Sequence, residues 1–138
     1  MQQFHAEKMR TTPIMNMSQG LHQHLGMEII SDDTRATCIR LIVSECHLTP
    51  FGTLSGGVML ALEETLAGIL SCERLDGQMP VGISVTANHL ATARVGDVVI
   101  ARGEALHIGT STHVWQVKVS KESGKTVSVA TVTNLIRK

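Results

Sequence analysis

The chain has 138 residues, of which 43% are hydrophobic and 17% charged, with twelve basic side chains balancing twelve acidic ones. That length suits one compact domain, and the apolar share supplies a real core and excludes a disordered chain. The charge balance excludes a broad electrostatic footprint for nucleic acid or an anionic membrane, and Phe4, Phe51 and Trp115, the only aromatics, cannot supply the stacking platforms of single-strand binders.

In chain order, residues 1–12 read as a polar lead-in without the apolar run of a secretory signal. Pro13 then opens a short helix ending near Gly26, with Ile14, Met17, Leu21 and Leu25 at roughly helical spacing and Gly20 weakening it. "MEII" and "RATCIRLIVSE", parted by "SDDT", form a hairpin signal. In the second stretch Thr37, Ile39, Leu41 and Val43 are the more apolar alternate set and are expected to face inward. A loop over 46–54, marked by Pro50 and Gly52, leads to the main helix over about 55–74, which "RLDGQMP" closes. The remainder reads as four strands: "PVGISVTANHLA", "VVIARGEALHI", "STHVWQVKVS" and "TVSVATVTNLI", with turn signals between them as in an antiparallel meander. An antiparallel sheet needs its apolar face covered, and the 55–74 helix is the one sizeable element able to do so. The expected fold is therefore α+β, a sheet wrapped around one long central helix, in one domain over 1–138.

Cys38, Cys46 and Cys72 are odd in number and form no CxxC pair, which favours reduced thiols in a cytoplasmic protein over a disulfide framework or zinc knuckle. Cys46 is expected to be buried, with no basic neighbour to make it a nucleophile. No run reaches membrane-spanning length. The seven histidines lack ligand spacing, so no metal site is expected.

The helix carries two adjacent carboxylates. On a wheel of about 100° per residue, Val58, Met59, Leu62, Leu66 and Ile69 make a stripe for the sheet. Glu64 lies opposite, among the small residues Gly57, Ala61 and Gly68, and Glu63 falls on the flank. A freely solvated face usually carries Lys, Arg, Glu and Gln; small residues instead let a ligand or another backbone approach. Glu64 would then project into a narrow space with limited hydration, where a carboxylate suits acid/base chemistry. The plainer reading makes both glutamates solvated charges. At the helix start Ser55 is a competent N-cap, and the N–H groups of the Gly56–Gly57 turn carry partial positive charge that can hold a developing oxyanion. Glu64 stands more than about 12 Å further along the axis, so both features can serve one reacting atom only if a ligand or second subunit bridges them.

The stretch "HLTPFGTLSGGVMLALEETLAG" resembles the signature of hotdog-fold acyl-CoA thioesterases, in the branch that includes phenylacetate-pathway, hydroxybenzoyl-CoA and enterobactin-proofreading enzymes. Pro50-Phe51-Gly52, Gly56-Gly57, Glu64 seven positions beyond the second glycine, and Thr65 all fit the pattern. "HLGMEI", "PVGISVTANHLATARVGD" and "GEALHIGTSTHVWQVKVSKESGK" extend the likeness over most of the chain after residue 20. The resemblance implies a hotdog fold, assembly as a homodimer or homotetramer, no cofactor beyond the coenzyme A of the substrate, and hydrolysis of an acyl-CoA or acyl-carrier thioester. Glu64 would be general base or nucleophile, the Gly56 N–H would polarise the carbonyl, and Ser55 and Thr49 would support them. Gly57, Gly68, Val81, Gly82, His89, His107 and Gly109 would contact the acyl group and coenzyme A. Ser55 stands where the family usually has His, Thr49 where it often has Gln or Asn, Gly68 in place of a helper hydroxyl, and Thr92 in place of a Pro. These departures keep open a non-catalytic acyl-CoA binding or sensing protein. A hotdog dehydratase would need a His paired with an acid, and the sequence shows no such pair around Glu64. His89 is either a strand residue with a satisfied hydrogen bond or a ligand contact.

Overall fold

A computed structural model describes residues 16–138; the lead-in and the start of the first expected helix lie outside the described residues. The elements run α1 (Leu21–His24), β1 (Glu28–Ser31), β2 (Thr37–Ile42), a 3-10 turn (Glu45–His47), α2 (Gly56–Cys72), β3 (Met79–His89), β4 (Val98–Ile108), β5 (Thr112–Lys121) and β6 (Thr126–Arg137). The first helix is thus a single turn, consistent with Gly20 at its N-cap in a left-handed conformation (φ 115°). The strands form one antiparallel sheet in the order β1-β2-β4-β5-β6-β3. Helix α2 packs across β2, β4, β5, β6 and β3. The expected sheet around one long helix, the hotdog arrangement, is the observed one.

The sheet can wrap a helix because its strands bend. The register shifts at Gly82/Ser84 in β3, at Ala105/His107 in β4 and at Val119/Ser120 in β5. Such irregularities raise local twist and turn a flat ladder into a curved one. Gly103 adds room for the helix on the sheet: a Cβ there would overlap the Leu70 side chain at 2.4 Å.

The core is aliphatic, as the shortage of aromatics requires. All five stripe residues of α2 are buried, against Ile39, Leu41, Val99, Ala101, Val117, Val119, Val127 and Val132 of the sheet. Thr37, Ile39, Leu41 and Val43 do face inward, and Cys38 is buried too. Cys46 differs from expectation: it lies exposed in the 3-10 turn, where the adjacent His47 takes the inward place and its Nε2 meets the Leu25 carbonyl at 2.7 Å.

Glu63 also differs. It is not a flank residue but wholly buried, because Leu70 and Ala67 extend the buried arc past it on either side. The five-residue stripe is too narrow a guide to a helix that a curved sheet encloses.

Near the C-terminal end of α2 a second polar group is buried. Ser71 Oγ accepts from Trp115 Nε1–H at 2.9 Å and from Asn134 Nδ2–H at 3.0 Å. Both lone pairs being used, its hydrogen goes to His113 Nδ1 at 2.8 Å, so that imidazole carries its proton on Nε2. Burial, then the Arg74 and His107 charges, holds the His113 pKa below its ordinary value. The serine therefore ties helix to sheet through three ring and amide partners. Ser71→Ala strands the Trp115 N–H and one Asn134 N–H, and is expected to cost about 1–3 kcal/mol in urea denaturation.

Candidate active site

Two groups of candidate residues lie at different places along α2. At its start, Ser55 caps the helix, accepting from Gly57 N–H at 3.1 Å. The Val58 and Met59 N–H groups reach the Ser55 carbonyl at 3.1 and 3.2 Å. The Gly56 N–H meets no acceptor among the described residues. The His89 ring lies directly against this turn: a Cβ on Gly56 would stand 2.9 Å from His89 Nε2. Glycine here is what lets the imidazole approach.

Midway along the helix, Glu64 is exposed to a cleft of about 360 Å³ whose lining includes Met17, His22, Glu64, Gly68, Met79 and Pro80. Its carboxylate rests on the β3 backbone, where a Cβ on Gly82 would lie 2.9 Å from Oε2. Nothing within 4 Å would meet a Cβ on Gly68, so the cleft is open beside it. Its volume falls within the ordinary range for small-molecule sites.

The chain keeps the two groups apart. Gly82 and His89 are seven residues apart on β3, about 23 Å in an extended strand. Val81, half-buried, lies beside Gly82. The ladder Ile108↔His113↔Asn134↔Gly82 sets the His107–Gly109 turn level with Gly82. Three strand spacings, about 14 Å, separate them. The exposed His107 packs on Gly109, where a Cβ would stand 2.6 Å from its Nε2. Thr49 Oγ1 accepts from Phe51 N–H at 3.1 Å and lies 3.3 Å from Thr53 Oγ1, closing the loop ahead of α2. The hydroxyls of Thr49 and Ser55 are thus both engaged in local hydrogen bonds.

A third group is absent from the expectations above. Ser128 Oγ donates to Glu63 Oε2 at 2.7 Å and lies 2.9 Å from His89 Nδ1. A histidine and an acid are thus linked, through a hydroxyl and by Glu63 rather than Glu64. Glu63 Oε1 is buried without a hydrogen-bond partner among the described residues. Burial pushes the Glu63 pKa up to about 7, against a smaller lowering by the Ser128 hydrogen bond. The alternation of β6 could have placed Ser128 inward, but no sequence rule pairs it with residues 39 and 65 positions away.

Among the described residues no three His, Cys, Asp or Glu side chains gather as a metal-holding group, and no helix is long and apolar enough to cross a membrane.

The fold agrees with that of known proteins. Residues 51–128 match the family model described as the thioesterase superfamily. The chain is 36% identical over 120 residues to a 1,4-dihydroxy-2-naphthoyl-CoA hydrolase of Listeria monocytogenes, covering 86% of this chain and 97% of that one. It is 35% identical over 112 residues to the proofreading thioesterase EntH of Cronobacter turicensis, covering 76% and 77%. A solved thioesterase of Haemophilus influenzae superimposes with a TM-score of 0.80 at 32% identity, covering 86% of this chain and 83% of that one. The chain belongs to the thioesterase superfamily. It is an enzyme of the thioester-hydrolase class.

The buried acid makes a measurable contribution to stability. With its folded pKa raised from 4.5 to about 7, Glu63 binds more protons folded than unfolded between those values, so its contribution falls as pH rises through that window. Glu63→Met is expected to be the more stable protein above pH ~7, with the advantage shrinking toward pH ~4.5. Urea midpoints of both proteins across that range check this.

Proposed function

We propose that the protein hydrolyses an aromatic or medium-chain acyl-CoA thioester, with Glu64 of one protomer and Gly56 of its partner acting on the same carbonyl. The observation that carries the reading is the Glu64 carboxylate, held against Gly82 and open to the cleft beside Gly68. Aromatic acyl groups are favoured by the likeness to a naphthoyl-CoA hydrolase.

The chemistry follows from the groups in place. The thioester carbonyl oxygen accepts from the Gly56 N–H at the positive end of α2. Water gives one proton to Glu64 as its oxygen bonds the carbonyl carbon. The tetrahedral intermediate then breaks its C–S bond, and the departing thiolate takes the proton from Glu64. Direct attack by Glu64, followed by hydrolysis of the anhydride, uses the same geometry. In this reading the His107–Gly109 turn meets the coenzyme A portion. The acid and the donor are too far apart within one chain, which is why the reading needs a second copy. The outer edge of the sheet suits one: β3 is an edge strand of eleven residues, Ile83 on it is 57% exposed and Leu90 just past its end 62%, and Phe51 near the helix start is 90% exposed.

Thiol release from a panel of aromatic and straight-chain acyl-CoAs tests the reaction. Glu64→Ala is expected to lower kcat by about 10²–10⁴-fold; equal turnover in both proteins removes Glu64 from the chemistry. Hybrid dimers test the sharing. Glu64→Ala and Gly56→Val protomers, each inactive alone, should regain about a quarter of wild-type activity after random mixing, since half the dimers then carry one intact site of two. No recovery in mixtures shown to exchange subunits overturns the shared site.

A further inference from the structure

Glu63, Ser128 and His89 form a hydrogen-bonded line from the sealed core to the helix start, and above the Glu63 pKa of about 7, where the acid is ionised, valence fixes its direction. An ionised carboxylate only accepts, so the Ser128 hydrogen points to Glu63 Oε2. Toward His89 the Ser128 oxygen can then only accept. His89 Nδ1 must therefore carry a hydrogen. In the neutral ring this leaves Nε2 as a bare acceptor, on the Nε2–Cδ2 side of the ring that lies against Gly56, whose N–H has no acceptor among the described residues.

We propose that Glu63 and Ser128 are positioning residues that hold His89 in the Nδ1–H tautomer, so that His89 Nε2 accepts a hydrogen bond from the attacking water beside the Gly56 N–H. The water has two hydrogens to place: one passes to Glu64 of the partner protomer, and the other points to Nε2. The carbonyl oxygen occupies the Gly56 N–H. With the His89 ring packed on the Gly56 turn, water and carbonyl would be aligned by groups that need no rearrangement during the reaction.

The surroundings single out this line. Glu63 makes no ion pair among the described residues; β6 brings Ser128 to it and β3 brings His89 to Ser128. Glu64, next on the helix, turns away onto Gly82. A buried acid with one oxygen unpartnered gives the fold nothing that a methionine would not give better. The one hydrogen bond it does receive is the one that sets the direction of the line.

The water-holding role rests on the thioester-hydrolysis reading above; the tautomer does not, and is measured without substrate. At pH 8.5, above the Glu63 pKa, long-range ¹H–¹⁵N correlation spectra report which His89 nitrogen carries hydrogen. Wild type is expected to show Nδ1 protonated and Nε2 bare. In Glu63→Met the Ser128 hydrogen is released to His89 Nδ1, and the ring should change to Nε2–H. Ser128→Ala should weaken the preference for Nδ1–H, and Ser128→Thr, which keeps the hydroxyl, should restore it. The change should lower kcat for acyl-CoA by about tenfold or more with KM within about twofold. A wild-type His89 already in the Nε2–H form, or an unchanged tautomer in folded Glu63→Met, overturns the proposal. A correct tautomer with no thiol release from any acyl-CoA in wild type instead overturns the hydrolytic reading and leaves the line intact.

Discussion

Helix α2 is enclosed by a sheet that bends at three strand irregularities, and this enclosure governs every side chain that the helix carries. Apolar residues on the enclosed arc contribute burial. Polar ones must find partners on the sheet or be stranded in a medium that punishes unpaired groups. Two polar side chains on that arc, Glu63 and Ser71, reach β6 by different routes: Glu63 accepts from Ser128, and Ser71 accepts from Asn134. They sit eight residues apart, on a helix whose open face is lined with small residues. The helix thus has a sealed side that fixes geometry and an open side that borders the cleft.

The same enclosure explains why adjacent glutamates differ so much. One residue turns the helix by about 100°. That step carries Glu63 under the sheet and Glu64 out to the cleft at the edge of β3. Both are placed by backbone contacts that glycine permits: Glu64 rests on Gly82, and the imidazole linked to Glu63 rests on Gly56. In the proposed reaction the open cleft and the helix start each supply half of what is needed, since a base without an oxyanion donor, or the reverse, leaves charge uncompensated in the transition state.

Much of this was legible in the sequence. Strand order of appearance, the long helix, the Ser55 cap and the inward set Thr37, Ile39, Leu41 and Val43 follow from periodicity and turn chemistry, which are local. The motif around Gly56-Gly57 and Glu64 pointed to the thioesterase family, which the comparisons show. What escaped is what depends on curvature and on distant partners. Glu63 was placed on a flank because a wheel assumes a flat partner surface, whereas this sheet curls past Ala67 and Leu70. Cys46 is exposed rather than buried because the 3-10 turn, which no local pattern announces, sends His47 inward instead. The Ser128 link spans residues 63, 89 and 128, and no local pattern connects them.

The two buried serines show what the fold can do with one hydroxyl. Ser71 receives two N–H donors, so its hydrogen must go outward to His113, which becomes an acceptor at Nδ1. Ser128 faces a carboxylate, so its hydrogen goes inward and His89 becomes a donor at Nδ1. The same side chain, between different neighbours, sets opposite tautomers in two histidines of one sheet. At His113 the result is a closed, buried set that serves packing. At His89 the ring is exposed, and the consequence appears at its far nitrogen, on the side packed against Gly56 at the positive end of a helix. A core could close the gap beneath His89 with apolar atoms and be more stable for it. A carboxylate there makes sense only if the direction of that hydrogen matters at the surface of the site.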